Sequence, residues 1–344
     1  MTVNTTNENK NWLSVLPTDV LGGIIAKKHL SLLENGNLIL SKVQGVEEAF
    51  KNFKISSVMY IKLDKCTFLK KVESGLEKYK QQYIKENLPD LDNMDVRFDL
   101  SGFDLSGTNL SGLDLSGADL EKANLNGTDL RWTNLSDACI GKVSLLDAKL
   151  YGANLKQATI WESDLVGVDF TNVDLTYACF ACSDLRNACL STKLDCADLS
   201  YANLQKADLK NATLQSADFT CADLCEADLR GAHLYDADLS EADLRGSDLD
   251  CADLRWANLT KADLFGADLY HADFEYANLQ GADLRDTNLC ETIFDEANLK
   301  DTDFRGTDIS EASFYGVNLQ LANFQDDSSS DEDDSQSDED DSPI

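Results

Sequence analysis

The feature that most constrains this chain is a hydrophobic residue that recurs at every fifth position over about two-thirds of its length. From Leu100 to Leu190 every fifth residue is Leu, Ile or Phe, and after one step of four to Leu194 the five-residue step resumes at Leu199 and continues to Phe324. A period of five matches neither a β-strand, which repeats every two residues, nor an α-helix, which repeats every 3.6. The pattern therefore requires a coil that turns after each unit and directs the central apolar side chain inward.

The units themselves resemble a known repeat. The stretch ADLSEADLRGSDLDCADLRWANLTKADLFGADLYHADF is similar to the pentapeptide-repeat family, whose units read A-(D/N)-L-x-x. The resemblance implies an all-β solenoid, a right-handed quadrilateral β-helix with four units in each coil. The 46 central positions then give about 11.5 coils, roughly 55 Å long at the strand spacing of ~4.8 Å. The four-residue unit 191–194 should distort one corner, either as a tolerated deletion or as a functional loop.

Charge divides the chain into three parts. The formal net charge is −32, from 30 basic and 62 acidic residues, but residues 1–95 are nearly neutral and residues 326–344 contain ten acids and no base. All three prolines lie outside residues 96–325. The sequence therefore predicts a small α-helical domain over 1–95, the β-helix over 96–325 and a disordered acidic tail over 326–344.

The same composition excludes several classes of function. A large negative charge disfavours direct binding to nucleic acid or to an anionic membrane, and no run of 18 apolar residues exists. The N-terminus lacks an apolar leader, so we expect a cytoplasmic protein, with the nucleus as the alternative. Three histidines are scattered and no glycine-rich phosphate loop is present, so we expect no enzyme activity and no cofactor.

The ten cysteines invite a metal or disulfide interpretation. Cys179 and Cys182 form the one pair with zinc-like spacing, but a closed zinc site needs four ligands that converge. The repeat register directs these two side chains to different corners. We therefore expect free thiols in a reducing compartment and no metal.

Aspartate is the commonest residue immediately before the central position, and it concentrates on two adjacent faces of the coil. The sequence predicts an acidic edge there, formed by Asp208, Asp223, Asp228, Asp243, Asp248, Asp263, Asp268 and Asp283. One interpretation is that these side chains accept hydrogen bonds from turn amides and keep the rod soluble. The other is a binding surface, because some family members resemble DNA in shape and charge and occupy the DNA-binding saddle of gyrase.

The N-terminal part contains a second resemblance. Residues 12–56 are similar to the F-box motif through Leu16, Pro17, Val20, Leu21, Ile24 and Ile25. This resemblance implies docking on the adaptor subunit of a cullin-RING ubiquitin ligase; the alternative is a small helical bundle that caps the rod. A further helix is predicted over 68–88, whose apolar stripe would cover the first coil. That stripe consists of Leu69, Val72, Leu76, Tyr79 and Tyr83.

The acidic tail carries serines that each have an acid three residues later, a pattern that resembles the acceptor sites of casein kinase 2 and suggests a eukaryotic or eukaryotic-virus setting. The predicted phosphoacceptors are Ser328, Ser329, Ser330, Ser335 and Ser337. One interpretation is that the tail captures basic partners. The other is that it keeps the last coils from pairing with another rod, since such pairing would make a homo-oligomer through a rod end. Taken together, the sequence predicts a non-enzymatic acidic rod that acts as a protein-interaction scaffold for a partner with a basic surface.

Overall fold

The structure is a computed structural model that describes residues 30–32, 58–87 and 95–324. The F-box-like residues from Leu16 to Ile25 and the five predicted phosphoacceptor serines of the tail lie outside these described residues. The described residues comprise the repeats and the N-terminal segments next to the first coil.

Most five-residue units end in the same hydrogen-bonded turn. In one example the Ala123 N–H donates to the Leu120 carbonyl at 2.9 Å, and Lys122 between them has a φ of 60°. A bond from the first to the fourth residue with a left-handed third residue is the geometry of a type II β-turn. Asp and Asn, which recur before the central position, accept turn amides and so favour this turn.

Parallel bridges link most units to the unit twenty residues later, or nineteen residues later where the four-residue unit intervenes. The bridges begin at Asp99 with Asp119 and continue to Asp303 with Asn323. Four such bridges and four turns occupy each twenty-residue coil, so the coil has four faces and the apolar centres of one face stack on one another. In the interior of the rod this arrangement satisfies the backbone of a coil by hydrogen bonds to the coils on either side.

The core is a filled column of central side chains and small residues. Central leucines such as Leu244 are wholly buried, as are the alanines two positions before them. At several positions where threonine replaces the alanine, the hydroxyl donates to a carbonyl of the preceding coil, as Thr128 Oγ1 does to Leu105 at 2.9 Å. Towards the C-terminal end, phenylalanines stack on one another, with ring centroids of Phe274 and Phe294 at 5.0 Å.

The four-residue unit is absorbed within one corner. The Thr192 N–H donates to the Leu190 carbonyl at 2.7 Å in a turn tighter than the others. The bridges continue across it, from Asp174 to Lys193 and then to Thr213. The local distortion expected from the sequence is present, and it leaves the stacking of the coils uninterrupted.

The N-terminal segments contain strands, which the sequence did not predict, in addition to a small helical part. Three short strands, β1 (Leu30–Leu32), β2 (Val58–Lys62) and β3 (Asp95–Asp99), form a parallel sheet in the order β1-β2-β3. β3 continues into the first face of the rod through the bridge from Asp99 to Asp119. Without these strands the edge of the first coil would present unpaired backbone N–H and C=O groups, and strand pairing satisfies them.

Two helices lie where the sequence predicts one over 68–88. Helix α1 spans Lys65–Ser74 and helix α2 spans Leu76–Asn87, and Gly75, with a φ of 102°, separates them. Asp64 caps α1 by accepting the Thr67 amide at 2.9 Å. The predicted apolar stripe packs against the core of the rod, and so do Phe103 and Leu113 of the first coil.

Phe68 is the centre of this contact. Its side chain is wholly buried, and its ring meets that of Phe98 edge-on with centroids 6.1 Å apart. Among the described residues, no helix is long and apolar enough to cross a membrane.

Candidate interaction surfaces

The eight predicted acidic-edge residues form two columns on adjacent faces. Asp208, Asp228, Asp248 and Asp268 bridge in succession along one face, and Asp223, Asp243, Asp263 and Asp283 along the other. Consecutive carboxylates in a column are therefore separated by the coil spacing of about 4.8 Å. The structure brings together all eight residues named from the sequence.

Every one of these carboxylates has a local structural partner. Asp243 Oδ1 accepts the amide of Arg245 at 3.1 Å, and the other seven accept the amide two residues later in the same way. This is an Asx-turn, in which the side chain satisfies a turn amide. One role of the aspartates is thus to form the corners of the coil.

Arginines neutralise part of the acidic edge. Arg245 pairs with Asp243 and also reaches Asp263 in the next coil at 3.5 Å. Arg230 pairs in the same way with Asp228 and Asp248, and Arg285 pairs with Asp283. The hydrogen bond from the arginine lowers the pKa of the carboxyls of Asp228, Asp243 and Asp283 below their usual value. The charge along the edge is therefore smaller than the number of aspartates suggests.

The remaining aspartates of the edge have uncharged polar neighbours. Ser191 donates to Asp208, Gln205 to Asp223 and Asn288 to Asp268. These hydrogen bonds leave the formal charge in place. The negative potential of the edge is consequently uneven along the rod.

A second surface consists of exposed aromatic side chains on one corner, which we name the aromatic corner: Tyr235, Trp256 and Tyr276. They follow central residues of one face on three successive coils, and they are 37%, 54% and 43% exposed. The rings of Trp256 and Tyr276 stack with centroids 4.6 Å apart. The Arg255 guanidinium lies over the Tyr235 ring at 5.9 Å, so this corner combines stacked rings with a cation.

The aromatic corner lies diagonally opposite the acidic edge. Counted from the unit centred on Leu100, the two Asp-rich faces are the second and third of each coil and meet at the corner between them, whereas the aromatic residues belong to the corner that follows the fourth face. In a four-sided coil these corners are opposite. The sequence signal for the aromatic corner is an aromatic residue one or two positions after the centre in units twenty residues apart, outside the central and pre-central positions that define the repeat.

Cys179 and Cys182, the pair with zinc-like spacing in the sequence, do not form part of a group of metal-ligating side chains. The Cys179 thiol donates to Asp198 Oδ2 at 3.3 Å, and burial raises its pKa, whereas Cys182 is exposed. Within the part of the chain that the structure describes, no group of three metal-ligating side chains includes this pair. All ten cysteines are free thiols.

These repeats match a known protein family. The sequence model for pentapeptide repeats fits eight copies between residues 99 and 326. The chain therefore belongs to the pentapeptide-repeat family, as its repeats predicted, and proteins of this family form right-handed quadrilateral β-helices.

Three solved structures illustrate the proteins to which the chain is similar. HetL, a pentapeptide repeat protein involved in heterocyst differentiation regulation in the cyanobacterium Nostoc, is 35% identical, with 64% of this chain and 89% of that chain covered and a TM-score of 0.33. A thylakoid-lumen pentapeptide repeat protein of Arabidopsis thaliana is 40% identical over 29% of this chain and 69% of that chain, with a TM-score of 0.28. The plasmid-mediated fluoroquinolone resistance protein QnrB1 is 16% identical over 54% and 88%, with a TM-score of 0.37. A comparison with curated proteins gave no significant match.

Proposed function

We propose that this protein is a non-enzymatic scaffold that binds a protein partner through the aromatic corner. The observation that supports this proposal is the stacked pair of Trp256 and Tyr276, half-exposed beside Arg255 and Tyr235. Trp, Tyr and Arg are the residues that most often dominate the binding energy of protein interfaces. Family membership supports the same class, because pentapeptide-repeat proteins are generally structural or interaction proteins.

The backbone of the turn is the same at this corner as elsewhere on the rod. Trp256 and Tyr276 have φ values of 64° and 61°, and Trp132, on another corner, has a φ of 61°. The feature that distinguishes the aromatic corner is the near-parallel stacking of its rings, because the rings of Trp132 and Tyr151 meet edge-on.

The partner should present a basic surface. The formal charge of −32 produces a negative potential that attracts cationic proteins and accelerates their association at low salt. The arginines of the two columns are each paired with an aspartate, so they reduce this potential without reversing it. The rod would then attract its partner by charge and hold it at the aromatic corner.

The test compares two aromatic pairs on the full chain. A Trp256→Ala/Tyr276→Ala double variant should lose a partner that the parent recovers by cross-linking and affinity purification. A Trp132→Ala/Tyr151→Ala double variant is the matched control, because these rings are also exposed and in contact, with centroids 5.3 Å apart. Equal recovery of every partner by all three proteins would disprove the proposal.

A second candidate function, DNA mimicry, is favoured by the two aspartate columns. Rows of carboxylates at regular spacing can occupy a groove that binds phosphates. Supercoiling by a type II topoisomerase should then be inhibited by the parent and less by Asp208→Asn/Asp268→Asn, which removes charge without touching the paired arginines. Unchanged supercoiling at micromolar protein would exclude this function.

The F-box-like motif supports a more specific version of the scaffold. In that version residues 12–56 dock on a ubiquitin-ligase adaptor subunit and the rod holds the client. The test is recovery of the adaptor from a eukaryotic lysate by the parent and by Leu16→Ala/Pro17→Ala. Equal recovery from both, or recovery from neither, would count against the adaptor role and would leave the test of the aromatic corner unaffected.

A further inference from the structure

A group of three different metal-ligating side chains lies on the corner between the acidic edge and the aromatic corner. Asp250 and Cys251 come from one coil and His271 from the next, and one carboxylate oxygen, the sulfur and one ring nitrogen all lie within 4.8 Å of one another. Cys251 Sγ is 3.0 Å from Asp250 Oδ1. This combination of sulfur, nitrogen and oxygen donors is the set that zinc and related divalent metals prefer.

The repeat itself aligns these residues. Cys251 and His271 occupy the same left-handed turn position of successive coils, with φ values of 59° and 55°. The Cys251 amide donates to the Tyr270 carbonyl at 2.9 Å, which fixes the height of one turn over the other. The two side chains therefore leave the backbone in parallel, about one coil spacing of ~4.8 Å apart.

A neighbouring carboxylate orients the imidazole. His271 Nε2 lies 2.7 Å from Glu291 Oε2, one coil further along. When the proton resides on Nε2 and is donated to Glu291, the lone pair of Nδ1 is available for a metal. A ligating histidine whose other nitrogen donates to a carboxylate is the usual arrangement in metal sites.

We propose that Asp250, Cys251 and His271 bind one divalent transition-metal ion, for which Zn²⁺ is the natural candidate. Bond lengths of about 2.0–2.3 Å place tetrahedral ligands about 3.3–3.8 Å apart, so small rotations of these surface side chains bring the donors to the required separation. Binding releases the thiol proton of Cys251 to solvent. A water molecule completes the coordination, and Glu291 is a positioning residue that acts through His271.

The local charge suits a cation. Asp250 and Glu291 are both carboxylates. Among the described residues, neither forms an ion pair with a lysine or an arginine. A second thiol and carboxylate, Cys290 and Glu311, lie 2.7 Å apart on the same corner. The negative potential of this corner would concentrate cations near the three ligands.

The sequence alone predicts no metal because the ligands do not form a local motif. Asp250 and Cys251 are adjacent, but His271 follows Cys251 by twenty residues. A separation of twenty residues indicates proximity only once the length of one coil is known to be twenty residues. A search for Cys-x-x-Cys, or for cysteines stacked on cysteines, does not detect it.

The experiment titrates the reduced, chelator-treated full chain with ZnCl₂ by calorimetry and with Co²⁺ by absorption spectroscopy. We expect one saturable Zn²⁺ per chain and a thiolate-to-cobalt charge-transfer band. Cys251→Ser and His271→Gln should each abolish saturable binding and the band. Glu291→Gln should weaken binding by about 10–100-fold, since it removes the group that orients a ligand.

The matched control is Cys182→Ser, because Cys182 is also exposed and occupies the same turn position, with a φ of 59°. It should bind Zn²⁺ like the parent. Circular dichroism verifies that each variant is folded, and Asp250→Asn replaces any variant that is not. Absence of saturable binding by the parent, or unchanged binding by Cys251→Ser/His271→Gln, would overturn the proposal.

Discussion

At the scale of single residues, the central position of each unit carries most of the packing. Leu244 is wholly buried between coils, and a Leu244→Asp variant would place a carboxylate there without a partner. We expect its free energy of unfolding to fall by several kcal/mol, on the order of 4 or more. Chemical denaturation followed by circular dichroism measures this change.

The control for this variant is Leu146→Asp. Leu146 lies in the same kind of repeat, but its side chain is 56% exposed at a turn, so the expected change is about 0.5 kcal/mol or less. Similar losses for the two variants would show that the assignment of inward and outward positions is wrong.

The aspartate–arginine pairs should make stability depend on pH. The pKa of Asp243 and that of Asp283 are lowered from 3.8 by hydrogen bonds from Arg245 and Arg285. A lowered pKa in the folded state contributes stability that is complete above the unfolded value and is lost as the pH falls through the folded value. Arg245→Gln/Arg285→Gln should therefore lower Tm at pH 7, and its difference from the parent should shrink below about pH 4.

Thermal melts of parent and variant at a series of pH values measure this difference. Lys78→Gln is the control, since Lys78 is exposed on α2 and its loss should change Tm little at any pH. A Tm difference that persisted undiminished at pH 2 would mean that the arginines stabilise the rod by packing and not by charge.

At the scale of elements, helices α1 and α2 cover the first coil. Phe68 is the deepest side chain of this contact, so Phe68→Ala should leave a cavity and cost about 3–5 kcal/mol where the helices meet the rod. Hydrogen exchange should then accelerate in α1, α2 and the first coil, and much less in distant coils, because each coil contacts only its neighbours.

Lys70→Ala serves as the control for the cap, because Lys70 is an exposed residue of the same helix. Its exchange rates should match those of the parent. If Phe68→Ala accelerated exchange evenly along the whole rod, the rod would unfold as one cooperative unit and the nearest-neighbour description would not hold.

The elements also show how far sequence alone reaches. The repeat predicts the coil because a single rule, one apolar residue in five, recurs from Leu100 to Phe324. The strand Val58–Lys62 has no such repetition, and a short apolar run does not distinguish strand from helix until its pairing with Asp95–Asp99 is known.

Of the candidate sites, the aspartate columns could be predicted from the sequence, whereas the aromatic corner and the three metal-ligating side chains could not. The aspartate columns follow directly from counting units, so their positions could be derived before the structure. The contacts of Trp256 with Tyr276, and of Cys251 with His271, join residues twenty positions apart at the variable turn positions. Their significance depends on side-chain direction at the corners, which periodicity does not specify.

At the scale of the whole molecule, the charge of −32 is a source of self-repulsion. Screening by salt should relieve this repulsion, so Tm should rise between about 20 mM and 200 mM NaCl. Asp208→Asn/Asp268→Asn, which has two fewer negative charges, should show a smaller rise. A Tm that fell with salt would mean that the attraction within aspartate–arginine pairs outweighs the repulsion of the whole rod.

The twenty-residue bridges have a mechanical consequence. A load that pulls on the two ends of the chain should detach the coils one at a time, because each coil is bound only to the coils before and after it. The rod should therefore lengthen in repeated steps, each releasing a coil whose extended chain measures about 66–72 Å. The coil that contains the four-residue unit would release one residue less, so that corner would be recognisable as the one short step in an otherwise even series.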